Sequence, residues 1–237
     1  MIHIEDVHKS FGRIAAVDGI SFRAPDGSIT GLVGPNGSGK TTTLRLLTGL
    51  ARPQRGRILV DGINPAENPI AARSRIGALT DSVGNYPRLT AREHLRYFGE
   101  LQGMGADELE PRIGELIERF DMHAIADRPA QGFSQGERMK VALARAIVHD
   151  PPNVLLDEPG NGLDVLSART LRTLLGAFRA AGKCVLLSSH VMAEIAAICD
   201  QVVIVLRGKV VAQGVPAELL RNTGTSSLEE AFVALTV

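Results

Sequence analysis

The stretch Gly34-Pro35-Asn36-Gly37-Ser38-Gly39-Lys40-Thr41 fits G-x-x-x-x-G-K-[ST], the spacing of a phosphate-binding loop. A triphosphate crowds negative charge into a small volume and needs many donors there. Glycines let the backbone curl until successive N–H groups point inward. A following helix adds its unpaired N–H groups and the positive end of its dipole. Lys40 supplies a mobile point charge for the β- and γ-phosphates, and the Thr41 hydroxyl can ligate Mg²⁺. ATPases, GTPases and kinases share such a loop, so other residues must separate them.

Two carboxylates, Asp157 and Glu158, close the apolar run Val154-Leu155-Leu156. Charges set after a buried strand need a reason. Mg²⁺ is one for Asp157, because a strand-end Asp holds the ion in phosphate-loop ATPases. Glu158 is placed to polarise a water for attack on a γ-phosphate. His190 ends the run Cys184 to Ser189 and is expected to contact phosphate. Ser134-Gln135-Gly136 opens another helix with a hydroxyl and a glycine, a second anion-grade start that lacks a lysine. One solution is that it faces the phosphate of another copy; the alternative is a plain helix cap. Phe11 ends an extended run upstream of the loop, where an exposed ring could stack on a base.

These residues need elements to hold them. Ser28 to Val33 reads as a buried strand before the loop, and Thr41 to Thr48 as a helix after it, with Gly49 as its stop. The first 27 residues are β-like, in short runs at 2–4, 16–17 and 20–22. Further strands are expected at 57–60, 76–80, 154–156, 184–189 and 202–206, the last paired with 209–211 through Arg207-Gly208. Thr90-Ala91-Arg92-Glu93 is a capping box opening a helix that ends near Gly103, and Ile113, Leu116, Ile117 and Phe120 form the stripe of a second helix. Ser134 to Glu137 is another capping box, before Met139, Leu143 and Ile147, and Asp164 caps a helix carrying Leu171, Leu174, Leu175 and Phe178. Strands alternating with helices imply an α/β fold, a mostly parallel sheet with helices on both faces. Ligands bind such sheets at the carboxyl ends of the strands, where the loop, Asp157, Glu158 and His190 can converge.

Composition narrows the class. The 237 residues carry 26 basic and 26 acidic side chains, a formal net charge of zero that argues weakly against a nucleic-acid partner. No run of 18 apolar residues suggests a membrane span, and the start has no leader pattern. The two cysteines, Cys184 and Cys199, have no ligand spacing and read as structural in a reduced, cytoplasmic setting.

Taken together, the residues resemble the nucleotide-binding subunit of an ABC transporter over about residues 2 to 235. The resemblance implies a phosphate-loop NTPase core with an N-terminal antiparallel β subdomain, both within about 1–84 and 131–237, and a helical subdomain at about 85–130. It implies that Phe11 stacks on adenine and that Gly34, Pro35, Asn36, Gly37, Ser38, Gly39, Lys40, Thr41 and Thr42 hold the phosphates, Thr42 near the α-phosphate. Thr41 and Asp157 would bind Mg²⁺, Glu158 would be the catalytic base, and His190 would touch the γ-phosphate. Ser134 and Gly136 would close on ATP held by a second copy, with Asp164 at the seam. The family's usual signature is Leu-Ser-Gly-Gly-Gln; this chain has Phe133, Gln135 and Glu137 at its varied positions and keeps Ser134 and Gly136. Where the family has glutamine this chain has Asp81, expected to reach the ion through a water.

Asp81-Ser82 ahead of Asn85-Tyr86-Pro87-Arg88-Leu89-Thr90, with the ending Ser227-Leu228-Glu229-Glu230-Ala231-Phe232, is similar to the sodium-extruding branch of ABC exporters; drug-efflux ATPases share a similar tail. The resemblance implies a separate integral membrane permease docked through residues 81 to 90, and a place on the cytoplasmic face of the cell membrane. A soluble ABC ATPase acting on ribosomes or DNA is the alternative from another class. A phosphate-loop GTPase or kinase leaves Ser134 to Gly136 and His190 unexplained.

Overall fold

The computed structural model describes residues 1–80, 84–161 and 163–236. Its spine is a six-stranded sheet in the order β5-β6-β7-β3-β8-β9. These strands are β3 (Ser28–Val33), β5 (Ile76–Leu79), β6 (Asn153–Asp157), β7 (Cys184–Ser189), β8 (Gln201–Leu206) and β9 (Lys209–Gly214). The first five run parallel, and β9 returns antiparallel after the Arg207-Gly208 turn.

The side chains alternate between two cores, as the two-residue period of a strand requires. Ile29, Val33, Val154, Leu156, Val185, Leu187, Val202 and Ile204 enter one core. Leu32, Leu155, Leu186, Val203 and Val205 enter the other. Both faces are buried, which explains why these strands read as continuous apolar runs.

The second core also carries a helix, as expected, together with the antiparallel β subdomain that the resemblance implies. It contains α1 (Lys40–Leu47) and a separate three-stranded antiparallel sheet, ordered β2-β1-β4. Here β1 (Ile2–Phe11) and β2 (Ile14–Ala24) are two long strands, where the sequence suggested three short runs. Register shifts between Ile4 and Ser10 let the hairpin bend without breaking, so the polar interruptions do not end the strands. The third strand, β4, begins at Arg55, earlier than its apolar residues indicate.

The first core joins the sheet to the helices. Residues 85–130 supply α3 (Ala91–Leu101) and α4 (Ala106–Arg119), whose Leu95, Leu109, Ile113 and Leu116 are buried. The Thr90–Glu93 capping box forms as the sequence indicates, each side chain bonding the other residue's backbone. With them lie α5 (Gln135–Ala146) and α6 (Val165–Ala180). Four short helices were not foreseen: α2 (Pro69–Arg73), α7 (Met192–Ile198), α8 (Pro216–Thr223) and α9 (Leu228–Thr236). Each is nine residues or fewer, too short for a full amphipathic period to stand out.

Candidate functional site

The phosphate-loop residues lie where β3 ends and α1 begins. Gly34 is buried against β8: a Cβ there would stand 2.1 Å from the Val205 carbonyl oxygen. Gly39 has φ +111° and its Cβ would stand 2.4 Å from the Ala16 carbonyl oxygen. Two carbonyl walls, one on β8 and one on β2, therefore demand these glycines before any ligand does. The Gly208 N–H donates to the Ser38 carbonyl at 2.8 Å and ties the loop to the β8–β9 turn.

The loop fits a polyphosphate on three observations. Gly39 is the N-cap of α1 and provides no side-chain cap, so the first-turn N–H groups remain for an anion. The Ser38 hydroxyl is buried without a hydrogen-bond partner among the described residues. Such a group costs about 1–3 kcal/mol, which an anion's oxygen would offset. Lys40 is 5% exposed and reaches back over the loop. Its Nζ donates to Gly34 O at 2.8 Å and Pro35 O at 3.3 Å, and lies 3.4 Å from Glu158 Oε1. Pro35, Asn36 and Gly37 form the exposed outer curve, and Thr41 and Thr42 are half-buried on the first turn.

Asp157 and Glu158 stand at the end of β6, which pairs with β7 so that Asp157 faces Ser188. The Ser188 hydroxyl donates to Asp157 Oδ1 and accepts the Glu158 N–H at 3.0 Å. Glu158 itself has φ +48°, a left-handed backbone that costs a glutamate of order 1–3 kcal/mol. That turn swings its carboxylate off the strand and across the sheet edge. Oε1 faces Lys40, and Oε2 accepts from His190 Nδ1 at 2.8 Å. The parallel sheet thus brings Lys40, Asp157, Glu158 and His190 to one edge from three strand ends. The oxygen donors Thr41 and Asp157 suit a hard cation such as Mg²⁺.

Ser134, Gly136 and Asp164 form a second cluster. Ser134 caps α5 in the expected box with Glu137, and Asp164 caps α6 by accepting the Ser167 N–H at 2.9 Å. A Cβ on Gly136 would lie 3.7 Å from Asp164 Oδ2, and Gln135 Nε2 donates to Asn161 O at 3.4 Å. The contacts of this turn run to Asn161, in the turn after Glu158, and to Asp164 and Ser167 at the start of α6. The unusual signature residues have local uses. Phe133 is buried beneath the Arg128 guanidinium, 5.3 Å from the ring centroid, and Glu137 pairs with Arg128 at 2.7 Å.

Phe11 lies at the tip of the β1–β2 hairpin, 51% exposed, with Lys9 Nζ 5.3 Å from its ring centroid. Asp81 lies outside the described residues, as does Gly162. Sequence reasoning missed Ser188, since a serine inside an apolar strand carries no motif. It also missed the carbonyl walls at Ala16 and Val205, which only the packing reveals.

Known proteins share this arrangement. A family profile described as ABC transporter matches residues 17–161, from β2 through the phosphate loop to the turn after Glu158. The ABC transporter ATP-binding protein NatA of Bacillus subtilis (strain 168) is 39% identical over 222 residues, 93% of this chain and 90% of that protein. The Nod factor export ATP-binding protein I of Paraburkholderia xenovorans (strain LB400) is 36% identical over 221 residues, 93% of this chain and 73% of that protein. A solved structure described as the ATP binding subunit of an ABC transporter superposes with a TM-score of 0.93 at 30% identity, covering 100% of both chains.

Proposed function

The chain belongs to the ABC transporter family as an ATP-binding, ATP-hydrolysing subunit, and on that premise we propose how its residues divide the work. The observation that carries the proposal is the Glu158 carboxylate held between Lys40 and His190. The loop from Gly34 through Thr42 cradles the phosphates, Lys40 neutralises the β- and γ-oxygens, and Phe11 stacks on the adenine. Thr41 and Asp157 would hold Mg²⁺, with Asp81 reaching it through a water. The bound ion would supply charge neutralisation for the developing phosphoryl transition state. Glu158 takes the proton of the attacking water, and the water oxygen bonds to the γ-phosphorus as the ADP oxygen leaves. His190 orients Glu158 and meets the γ-phosphate. Glu158→Gln should lower ATP turnover at least a hundredfold at unchanged nucleotide affinity; wild-type turnover would refute the assignment.

Ser134, Gly136 and Asp164 complete the site of a second copy in a head-to-tail pair. The lysine-free, anion-grade helix start at Ser134 to Gly136, in a chain with one phosphate loop, supports this reading. The permease docks on the helical segment 85–130, set apart from a core of 1–84 and 131–237. A groove of about 510 Å³ lined by Tyr86, Pro87, Arg88, Leu89 and Tyr97 supports that surface. Among the described residues no helix is long and apolar enough to cross a membrane. In this reading a separate membrane subunit holds the ATPase at the cytoplasmic face, as the resemblance to ABC transporters implies.

The proposed cargo is sodium, moved outward. It rests on the resemblance of residues 81–90 and 227–232 to the sodium-extruding branch. Drug, antibiotic or lipid efflux is the second reading, favoured by the 36% identity to a Nod factor export protein. Inside-out vesicles carrying this chain and its permease should accumulate ²²Na⁺ on ATP addition. ATP hydrolysis without sodium flux would overturn the sodium assignment, and capture of the chain with ribosomes and no membrane protein would overturn transport.

A further inference from the structure

We infer that Ser188 is a positioning residue for hydrolysis, setting the aim of both strand-end carboxylates. The inference rests on the assignment of Glu158 as the catalytic base and adds a residue to that site. Ser188 is fully buried, the penultimate residue of β7 after the apolar run Val185-Leu186-Leu187. A buried hydroxyl costs stability unless it is bonded. Here both of its capacities are used. The Glu158 N–H can only donate, and it donates to Ser188 Oγ at 3.0 Å and to Ser188 O at 3.2 Å. That leaves the hydroxyl proton for Asp157 Oδ1, which receives it.

The ladder explains why this matters. Asp157 and Ser188 are paired across β6 and β7, and the Glu158 N–H to Ser188 O bond is the last one between the strands. One residue further, the chain turns to φ +48° at Glu158 and leaves the sheet. A regular ladder cannot hold that conformation. The Ser188 hydroxyl supplies a second acceptor to the same N–H at the point of departure, and so fixes the direction in which the Glu158 side chain sets out. The same hydroxyl fixes Asp157 against rotation. Removing it takes one of two acceptors from the Glu158 N–H and the hydroxyl donor from Asp157 Oδ1 together. It leaves untouched the phosphate loop and Phe11, which carry nucleotide affinity.

The test compares Ser188→Ala, Ser188→Cys and Ser188→Thr in the full chain, with Glu158→Gln as reference. Thr keeps the hydroxyl, and Cys keeps the size with a much weaker donor. Melting curves first establish which variants are folded. Binding of a fluorescent ATP analogue is then measured apart from turnover. Folded Ala and Cys variants should lose about tenfold to a hundredfold in kcat, the scale of a misplaced catalytic group. Their KM and analogue affinity should stay within about twofold, and Thr should recover most of the loss. If Ala does not fold, Cys carries the comparison. Folded Cys with wild-type kcat, while Glu158→Gln is inactive, would overturn the inference about Ser188 alone. Wild-type turnover in Glu158→Gln would instead remove the base assignment beneath it.

Discussion

At the scale of single residues, the site is made by walls as much as by ligands. Gly34 and Gly39 sit under carbonyl oxygens of β8 and β2, closer than any Cβ could approach. The loop's glycines are therefore fixed twice, by the phosphate and by the packing. Gly39→Ala should destabilise the chain without nucleotide, by about 1–3 kcal/mol, because a left-handed backbone and a clash with backbone coincide. A urea titration of the nucleotide-free protein would measure it, and an unchanged midpoint would show that the Ala16 wall yields. Lys40→Ala is different in kind. Its ammonium bonds Gly34 O and Pro35 O and pairs with Glu158, so the variant should fold yet lose ATP turnover. Surviving turnover would contradict the role assigned to Lys40. The motif residues were legible because each type is required by its chemistry. Ser188 was not, since its value comes from the strand beside it.

At the scale of elements, a buried histidine ties the loop before α3 to the helix itself. His94 is completely buried; its Nδ1 lies 2.7 Å from Thr90 O, and its Nε2 accepts the Tyr86 N–H at 2.8 Å. The neutral ring is thus locked, with its proton on Nδ1. Burial pushes its pKa below the ordinary value, against the raising effect of the Thr90 carbonyl, with Arg145 lowering it further and Glu93 opposing. Burial lowers the pKa of His149 in the same direction. A folded pKa below the unfolded one means that the unfolded chain binds more protons as the pH falls. Stability from these groups is therefore fully present above about pH 6.5 and is lost as the pH drops below it. His94→Phe should flatten that acid limb, and at pH 8 should cost about 1–3 kcal/mol through the stranded Tyr86 N–H. Denaturant midpoints across pH 5 to 8 would show both effects, and an acid limb as steep as wild type would exclude His94 as its source. The 90–93 and 134–137 capping boxes were readable beforehand because they are local. The helix α7 was not, since its seven residues bury only Met192 and Ile195, too few to show a helical stripe.

At the scale of the whole molecule, the chain in the proposed reading carries two half-sites that a second copy joins. The phosphate loop, Asp157, Glu158 and His190 share one sheet edge, while Ser134 and Gly136 face the start of α6. If two copies complete each other, complementary defects should cancel. Lys40→Ala and Gly136→Asp should each be inactive alone. A mixture should regain turnover, because one mixed site then joins an intact loop to an intact Ser134–Gly136 turn. ATPase rates across mixing ratios would read this, and a mixture no more active than its parts would place all catalysis within one chain. The six-stranded order β5-β6-β7-β3-β8-β9 is also a property of this scale. It sets β3 between β7 and β8, which is what brings Lys40, Glu158 and His190 within reach.

By itself the sequence determined the elements whose signal is local: the phosphate loop, the buried strands, the two capping boxes and the acidic strand end. It determined the family too, because those motifs stand in a fixed order along the chain. The tertiary structure decided what depends on neighbours distant in sequence. Strand order put β3 beside β7, and register set Asp157 against Ser188. Packing set the antiparallel sheet and α1 on the same face of the larger sheet. Those outcomes follow from burial and hydrogen-bond pairing between segments tens of residues apart, and no local pattern of residue types encodes them.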